Sequence, residues 1–156
     1  MMATVNDIAD WFLASIDRDA GDSITHLKLQ KLVYYAQAWS LVLRGEKLFE
    51  EDFEAWAHGP VVRGLYERFS DCGWSALPVP EGEIDLTNDV CELLENISSS
   101  YGELGAKQLE DLTHGELPWL TARGNLSPEA RSDTVISKES MKIYYMERYE
   151  NLDGEA

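Results

Sequence analysis

The chain has 156 residues, and its 29 acidic side chains against 13 basic ones give a formal net charge of −16 at pH 7. This length suits a single domain over residues 1–156 that buries enough apolar surface to fold without disulfides or metals. The negative charge argues against direct binding to nucleic acid or to an anionic membrane. The sequence has neither a membrane-spanning apolar run nor a signal-peptide pattern, so we expect a cytoplasmic protein.

The first half of the chain predicts helices around one short extended segment. An amphipathic helix runs from residue 5 to about 18, and Gly21-Asp22 breaks it. A second helix over 26–43 is apolar on most of its sides, which is typical of a helix buried between neighbours. Residues 53–57 alternate as a strand does, and Pro60 suits the first position of a third helix.

The second half predicts a loop, further helices and another short β-like segment. These elements are a loop over 74–85, helices over 88–101 and 106–114, a helical turn at 118–120, a helix beginning at Ser127-Pro128, a β-like segment over 134–136, and a last helix from Ser137 to about Glu150. The expected fold is therefore mainly α, a compact bundle of roughly six to seven helices around a central buried helix, with one small β element.

Motifs for enzymatic chemistry are missing from the sequence. It contains neither a phosphate-binding glycine-rich loop nor a nucleophile elbow, and the two cysteines do not form a metal-type pair. His26, His58 and His114 are single and widely spaced, whereas zinc ligands usually occur in closely spaced pairs. We therefore predict no catalytic residue, no metal and no cofactor.

Two blocks of sequence carry a specific resemblance. Residues 27–39 read LKLQKLVYYAQAW, and residues 53–62 read FEAWAHGPVV. LEDLTH at 109–114, Pro118-Trp119 and Tyr144-Tyr145 follow in the same order. Together these residues resemble the Panacea domain family, whose members include SocA-like antitoxins and phage-associated proteins. The resemblance extends over almost the whole chain.

The resemblance implies a non-enzymatic antitoxin that neutralises a cognate protein toxin by binding it, with delivery of the toxin to a host protease as one route. It also implies a gene beside the toxin gene, on a prophage or another mobile element. Some members carry an added DNA-binding module, for which this chain has no room. Because the chain is acidic, we expect a basic toxin and an association rate that falls with added salt.

Five residues of the two blocks are candidates for partner binding: Gln30, Lys31, Tyr35, Trp56 and His58. The first three are polar positions on an otherwise apolar helix, and such groups need either internal hydrogen bonds or an external partner. The last two belong to a predicted turn that we expect to pack against this polar patch. The same residues would also serve to build the fold alone.

Two other functions stay open on sequence grounds. A small metal-dependent hydrolase would bring His26, His58 or His114 together with carboxylates. An acidic DNA-mimic phage protein would place carboxylates where DNA has phosphates, and the second half of the chain is the more acidic half. The oligomeric state is not predicted.

Overall fold

A computed structural model describes residues 3–16, 24–73 and 75–155, with side chains up to residue 151. The described residues form seven α-helices and a small three-stranded sheet. In chain order the elements are α1 (Val5–Ser15), α2 (His26–Leu43), β1 (Phe53–Trp56), β2 (Gly59–Val61), α3 (Arg63–Phe69), α4 (Asn88–Tyr101), α5 (Ala106–His114), α6 (Leu117–Arg123), β3 (Val135–Ile136) and α7 (Lys138–Glu155). The mainly α fold with one small β element is confirmed.

Helix α2 lies at the centre of the fold, as its apolar sequence predicts. It packs against α1, α3, α4, α5, α7 and β2. Thr25 caps its first turn by accepting a hydrogen bond from the backbone N–H of Lys28. Because neighbours cover every side of the helix, its polar side chains must find partners inside the protein.

Two glutamines of α2 bind the backbone of neighbouring segments. The Gln30 amide accepts from the Val62 N–H at 3.0 Å and donates to the Val62 carbonyl at 3.2 Å. Gln37 accepts from the Leu48 N–H at 2.6 Å and donates to the Phe49 carbonyl at 2.8 Å. The Gln37 amide thus bonds both Leu48 and Phe49, while the Gln30 amide satisfies the Val62 N–H and shares the Val62 carbonyl with the Tyr66 N–H. Each amide fixes the path of the chain beside α2.

The sheet has the order β2-β1-β3, with both pairs antiparallel. Pro60 lies in β2 opposite Ala55, so the prediction that it begins a helix is wrong. An edge strand tolerates proline because the missing N–H is not needed by a second neighbour. Helix α3 begins at Arg63, directly after Val62, whose backbone N–H bonds to Gln30.

The helix predicted at Ser127-Pro128 is also wrong, because these residues form a turn. The buried guanidinium of Arg123 donates to the carbonyl oxygens of Ser127 at 2.6 Å and Ala130 at 2.7 Å. A charged donor that binds both carbonyls favours a tight turn over a helix at this point.

The ends of two helices differ from the predicted ends. Helix α1 ends at Ser15 with Ile16 extended, and both the predicted end near Arg18 and the break at Gly21-Asp22 lie outside the described residues. Helix α7 continues past Glu150 to Glu155. Among the described helices, none is both long and apolar enough to cross a bilayer.

Candidate functional site

The turn between β1 and β2 is held from below by α5 and α6. The indole of Trp119 donates to the Trp56 carbonyl at 2.8 Å, and the His114 ring stacks on Trp119 with centroids 4.0 Å apart. The His114 ring also lies beside the Ala57 backbone, and its buried Nε2 has no hydrogen-bond partner among the described residues. Of the polar patch of α2, Lys31 contacts this turn at Gly59, and the aromatic contacts fix the position of the turn.

Lys31 lies directly beneath this turn and is fully buried. Its ammonium nitrogen makes no hydrogen bond with the described residues. Burial lowers the pKa of Lys31 to about 8, against the opposing effect of the Glu110 carboxylate. A charged amine in such a place is costly, since only part of its lost hydration is replaced.

His58 lies on the outer side of the same turn and bonds to α5. Its Nδ1 is 2.7 Å from the Glu110 carboxylate, and its side chain is 63% exposed. Lys107 bonds to the other carboxylate oxygen at 3.0 Å. Burial raises the pKa of Glu110, but the hydrogen bonds from Lys107 and His58 outweigh it and leave the pKa below its usual value. Glu110 thus links the exposed face of the turn to the buried amine of Lys31.

Trp56, half-buried at the end of β1, forms a wall beside His58. Its indole N–H donates to Glu54 at 2.9 Å, and the Arg63 guanidinium lies 5.6 Å from the ring centroid. Trp56, Ala57 and His58 line a cavity of about 600 Å³, together with Arg63 and residues 131–133. A volume of this order suits a side chain or a short peptide segment.

Gln30 and Tyr35 lie away from this surface. Gln30 binds Val62, and its amide nitrogen is 2.8 Å from the His26 ring nitrogen. Tyr35 is fully buried and donates to the Glu116 carboxylate at 2.6 Å, while Tyr145 donates to the same oxygen at 2.9 Å. Burial raises the pKa of Glu116, and the two tyrosine hydroxyls reduce this rise.

The five candidates therefore fall into two groups. Trp56 and His58 are accessible, and Lys31 lies beneath them under the same turn. Gln30 and Tyr35 are buried with their polar atoms bonded, so they position α2 within the fold. A partner-binding role for all five residues stays a prediction.

The three histidines bind separate neighbours. His26 packs against Tyr66 and Phe69, and burial lowers its pKa to about 4. Burial also lowers the pKa of His114. Within the described part of the chain, no three His, Cys, Asp or Glu side chains come together in a way that could hold a metal ion.

Sequence reasoning missed four residues of this region: Glu110, Glu116, Arg123 and Arg131. The signal for Glu110 was its place in the LEDLTH block, where it falls between apolar positions of α5. Glu116 and Arg123 are buried through contacts with distant segments, which no local spacing reveals. Arg131 lies in an irregular segment just after the turn at 128–129, where the sequence pattern predicted a helix.

The sequence of this region matches a known protein family. The profile of the family described as "Antitoxin SocA-like, Panacea domain" matches residues 29–120, more than half of the chain. The chain belongs to this family. The matched region runs from α2 to α6 and includes the whole turn with Lys31, Trp56, His58 and Glu110.

One curated relative of this SocA-like chain is the "Antitoxin SocA" of Caulobacter vibrioides (strain NA1000 / CB15N). The two are 31% identical over 109 residues, which is 62% of this chain. The alignment spans 58% of the relative's own length. No solved structure gives a significant match.

Proposed function

We propose that this protein is an antitoxin that neutralises a cognate protein toxin by direct contact. Membership of the SocA-like antitoxin family carries this proposal, since that family match covers residues 29–120. The relative named as an antitoxin supports it at 31% identity. Family membership also favours a non-enzymatic, regulatory role.

The exposed face of the β1–β2 turn is the surface that we propose for the toxin. Trp56 and His58 are accessible there, and buried aromatic contacts hold the turn in place. Tryptophan is enriched at the energetic centres of protein interfaces because it buries a large area and loses little conformational freedom. A rigid turn keeps the entropy cost of binding low.

The charge of the chain bears on the nature of the toxin. A net charge of −16 attracts a basic partner and speeds the encounter, while the final affinity depends more on the buried contacts. We propose that the meeting takes place in the cytoplasm. The proposal has two further parts. The bound toxin is either blocked or delivered to a host protease, and the gene pair lies on a prophage or another mobile element.

Growth assays with the adjacent gene test the proposal. Expression of the neighbouring protein alone should stop growth, and co-expression of this chain should restore it. The double variant Trp56→Ala/His58→Ala should fold but lose most of the rescue. Ile143→Ala/Lys142→Ala is the matched control, since both residues are exposed on α7 and neither lines the cavity. A neighbour that is harmless when expressed alone would remove the main support.

Binding measurements then separate the mechanisms. The purified pair should form a complex whose association rate falls markedly with added salt, because screening weakens long-range attraction. A rate that does not change with salt contradicts the charge argument. The half-life of the toxin in cells, with and without this chain, distinguishes blocking from delivery to a protease.

A further inference from the structure

Unpaired cations are rare in the described part of this acid-rich chain. Most lysines and arginines there bind carboxylates or carbonyls, as Arg44 does with Glu46 and Asp89. Arg131 makes neither an ion pair nor a hydrogen bond with the described residues, although the sequence contains 29 acidic side chains. Besides the buried Lys31, Lys142 on the solvent side of α7 is also without a partner in this part of the chain.

The unpaired Arg131 lies at the cavity beside the β1–β2 turn. Its neighbours in the cavity wall include Trp56, His58 and Arg63. Arg63 uses Nε and Nη2 to bind Glu54 at 3.2 and 2.8 Å, which neutralises that carboxylate. Asp133 is the acidic residue of the wall, and the other charged residues of the wall are the two arginines.

Further positive charge lies behind the turn. The Lys31 side chain is in contact with Gly59, as a Cβ at that position would come 3.5 Å from its ammonium nitrogen. The nearby Glu110 already binds His58 and Lys107. Arg63 is paired with Glu54, and the carboxylate of Asp133 also acts on Arg63, so Arg131 is the cation of the cavity wall that has no partner among the described residues.

We propose that this cavity binds a carboxylate carried by an extended segment of the protein partner, with Arg131 as the main ligand and the Trp56 ring as the apolar wall. The inference rests on the proposed function, and it names the chemistry that this site recognises. A guanidinium with all its donors free matches the paired oxygens of a carboxylate. Nucleic acid carries phosphates instead, but the surrounding negative charge repels such a polyanion.

A short peptide tests the proposal without the toxin. The probe is the tripeptide alanine-glutamate-alanine, acetylated and amidated at its ends, and its glutamine analogue is the comparison. The signal is the indole N–H resonance of Trp56 in ¹H–¹⁵N spectra, assigned with the variant Trp56→Phe. We expect a saturable shift with the glutamate peptide and about tenfold weaker binding of the glutamine peptide, the loss of one charged hydrogen-bonded pair.

Matched variants identify the ligand. Arg131→Gln should weaken binding of the glutamate peptide about tenfold, whereas Lys142→Gln, which removes the same charge from another unpaired cation, should leave it unchanged. Because Arg131 is exposed and without partners in the described chain, both variants should keep the unfolding curve of the parent protein. The unfolding curves of the two variants are compared first, so that a loss of binding is not mistaken for a loss of folding.

Several results would overturn the proposal: no shift of the Trp56 indole, equal shifts with both peptides, equal losses in the two variants, or tighter binding of duplex DNA or inorganic phosphate than of the glutamate peptide. The growth assay distinguishes this failure from failure of the proposed function. If Arg131→Gln abolishes peptide binding and still rescues growth fully, the toxin does not use this cavity and the antitoxin role stands. If the peptide binds as expected but the neighbouring gene is harmless, the antitoxin role fails alone.

Discussion

Lys31 and Gly59 are in direct contact in this fold. A Cβ placed on Gly59 would come 3.0 Å from Cε of Lys31 and 3.1 Å from the Thr113 hydroxyl. Gly59 also has a φ of +115°, which side chains rarely adopt. The buried amine, the turn above it and the start of the exposed surface therefore depend on one residue that has no side chain.

Gly59→Ala should destabilise the protein by about 2–4 kcal/mol, because it adds backbone strain and a steric clash against buried atoms. Urea unfolding monitored by circular dichroism measures this change. Gly64→Ala is the matched control, since Gly64 is exposed in α3 and a Cβ there meets nothing within 4 Å. The control should be neutral or slightly stabilising, and equal losses in both variants would contradict the packing described here.

Lys31→Met should stabilise the isolated protein by about 1–3 kcal/mol. Methionine keeps much of the length of the side chain and removes a buried ammonium that lacks a hydrogen-bond partner among the described residues. Urea unfolding at pH 7 gives the value. Lys142→Met, on the exposed side of α7, should have almost no effect. A clear loss of stability in Lys31→Met would show that the ammonium is well satisfied within the native fold.

Because the pKa of the Lys31 amine is lowered, we expect the free energy of unfolding to rise with pH. The pKa of Lys31 is about 8 in the folded protein and 10.5 as the reference for the unfolded chain, so between these values the unfolded state binds more protons. The free-energy cost of burying the charged Lys31 amine is therefore fully present below pH 8, and it decreases as the pH rises. Unfolding free energy should increase by about 1 kcal/mol from pH 7 to pH 9, and Lys31→Met should lack the increase.

Higher pH reverses this trend. Burial raises the pKa values of Tyr34, Tyr35 and Tyr145, so the unfolded chain loses their protons first and the folded state is disfavoured as they ionise. The test therefore stays below about pH 9.5, under the ordinary tyrosine pKa of about 10. A parent protein whose stability is flat from pH 7 to pH 9 would contradict the predicted pKa of Lys31.

The sequence predicted the helices better than it predicted their connections. Thr25 and Thr87 each mark a helix start, because N-terminal signals are local. Pro60 and Ser127 were misassigned because their conformations depend on distant residues, a strand partner at Ala55 and the guanidinium of Arg123. The same reason applies to the site, where the link from His58 to Glu110 joins residues 52 positions apart.

Gln30→Leu should destabilise the protein by about 2–3 kcal/mol, because it leaves the buried N–H of Val62 without a partner and leaves the Val62 carbonyl with the Tyr66 N–H as its remaining donor. Thermal and urea unfolding both measure the loss. Gln108→Leu is the control, since this exposed amide bonds to the Gly105 N–H at the start of α5, and it should cost about 1 kcal/mol or less. Similar losses in the two variants would mean that Gln30 does not fix the start of α3.

Tyr35→Phe should cost about 1.5–3 kcal/mol at pH 7, since it removes one of two hydroxyls that donate to the buried Glu116 carboxylate. Loss of that donor should raise the pKa of Glu116 further, which ¹³C NMR titration measures directly. Because folding raises the pKa of Glu116, the protonated carboxyl stabilises the fold below its unfolded-state pKa of 4.5, and this stability is lost as the pH increases. The deficit of Tyr35→Phe should therefore be smaller at pH 4 than at pH 7. Tyr66→Phe, at an exposed ring, should show no deficit at either pH, and a deficit of Tyr35→Phe that does not change with pH would mean that Glu116 stays neutral throughout.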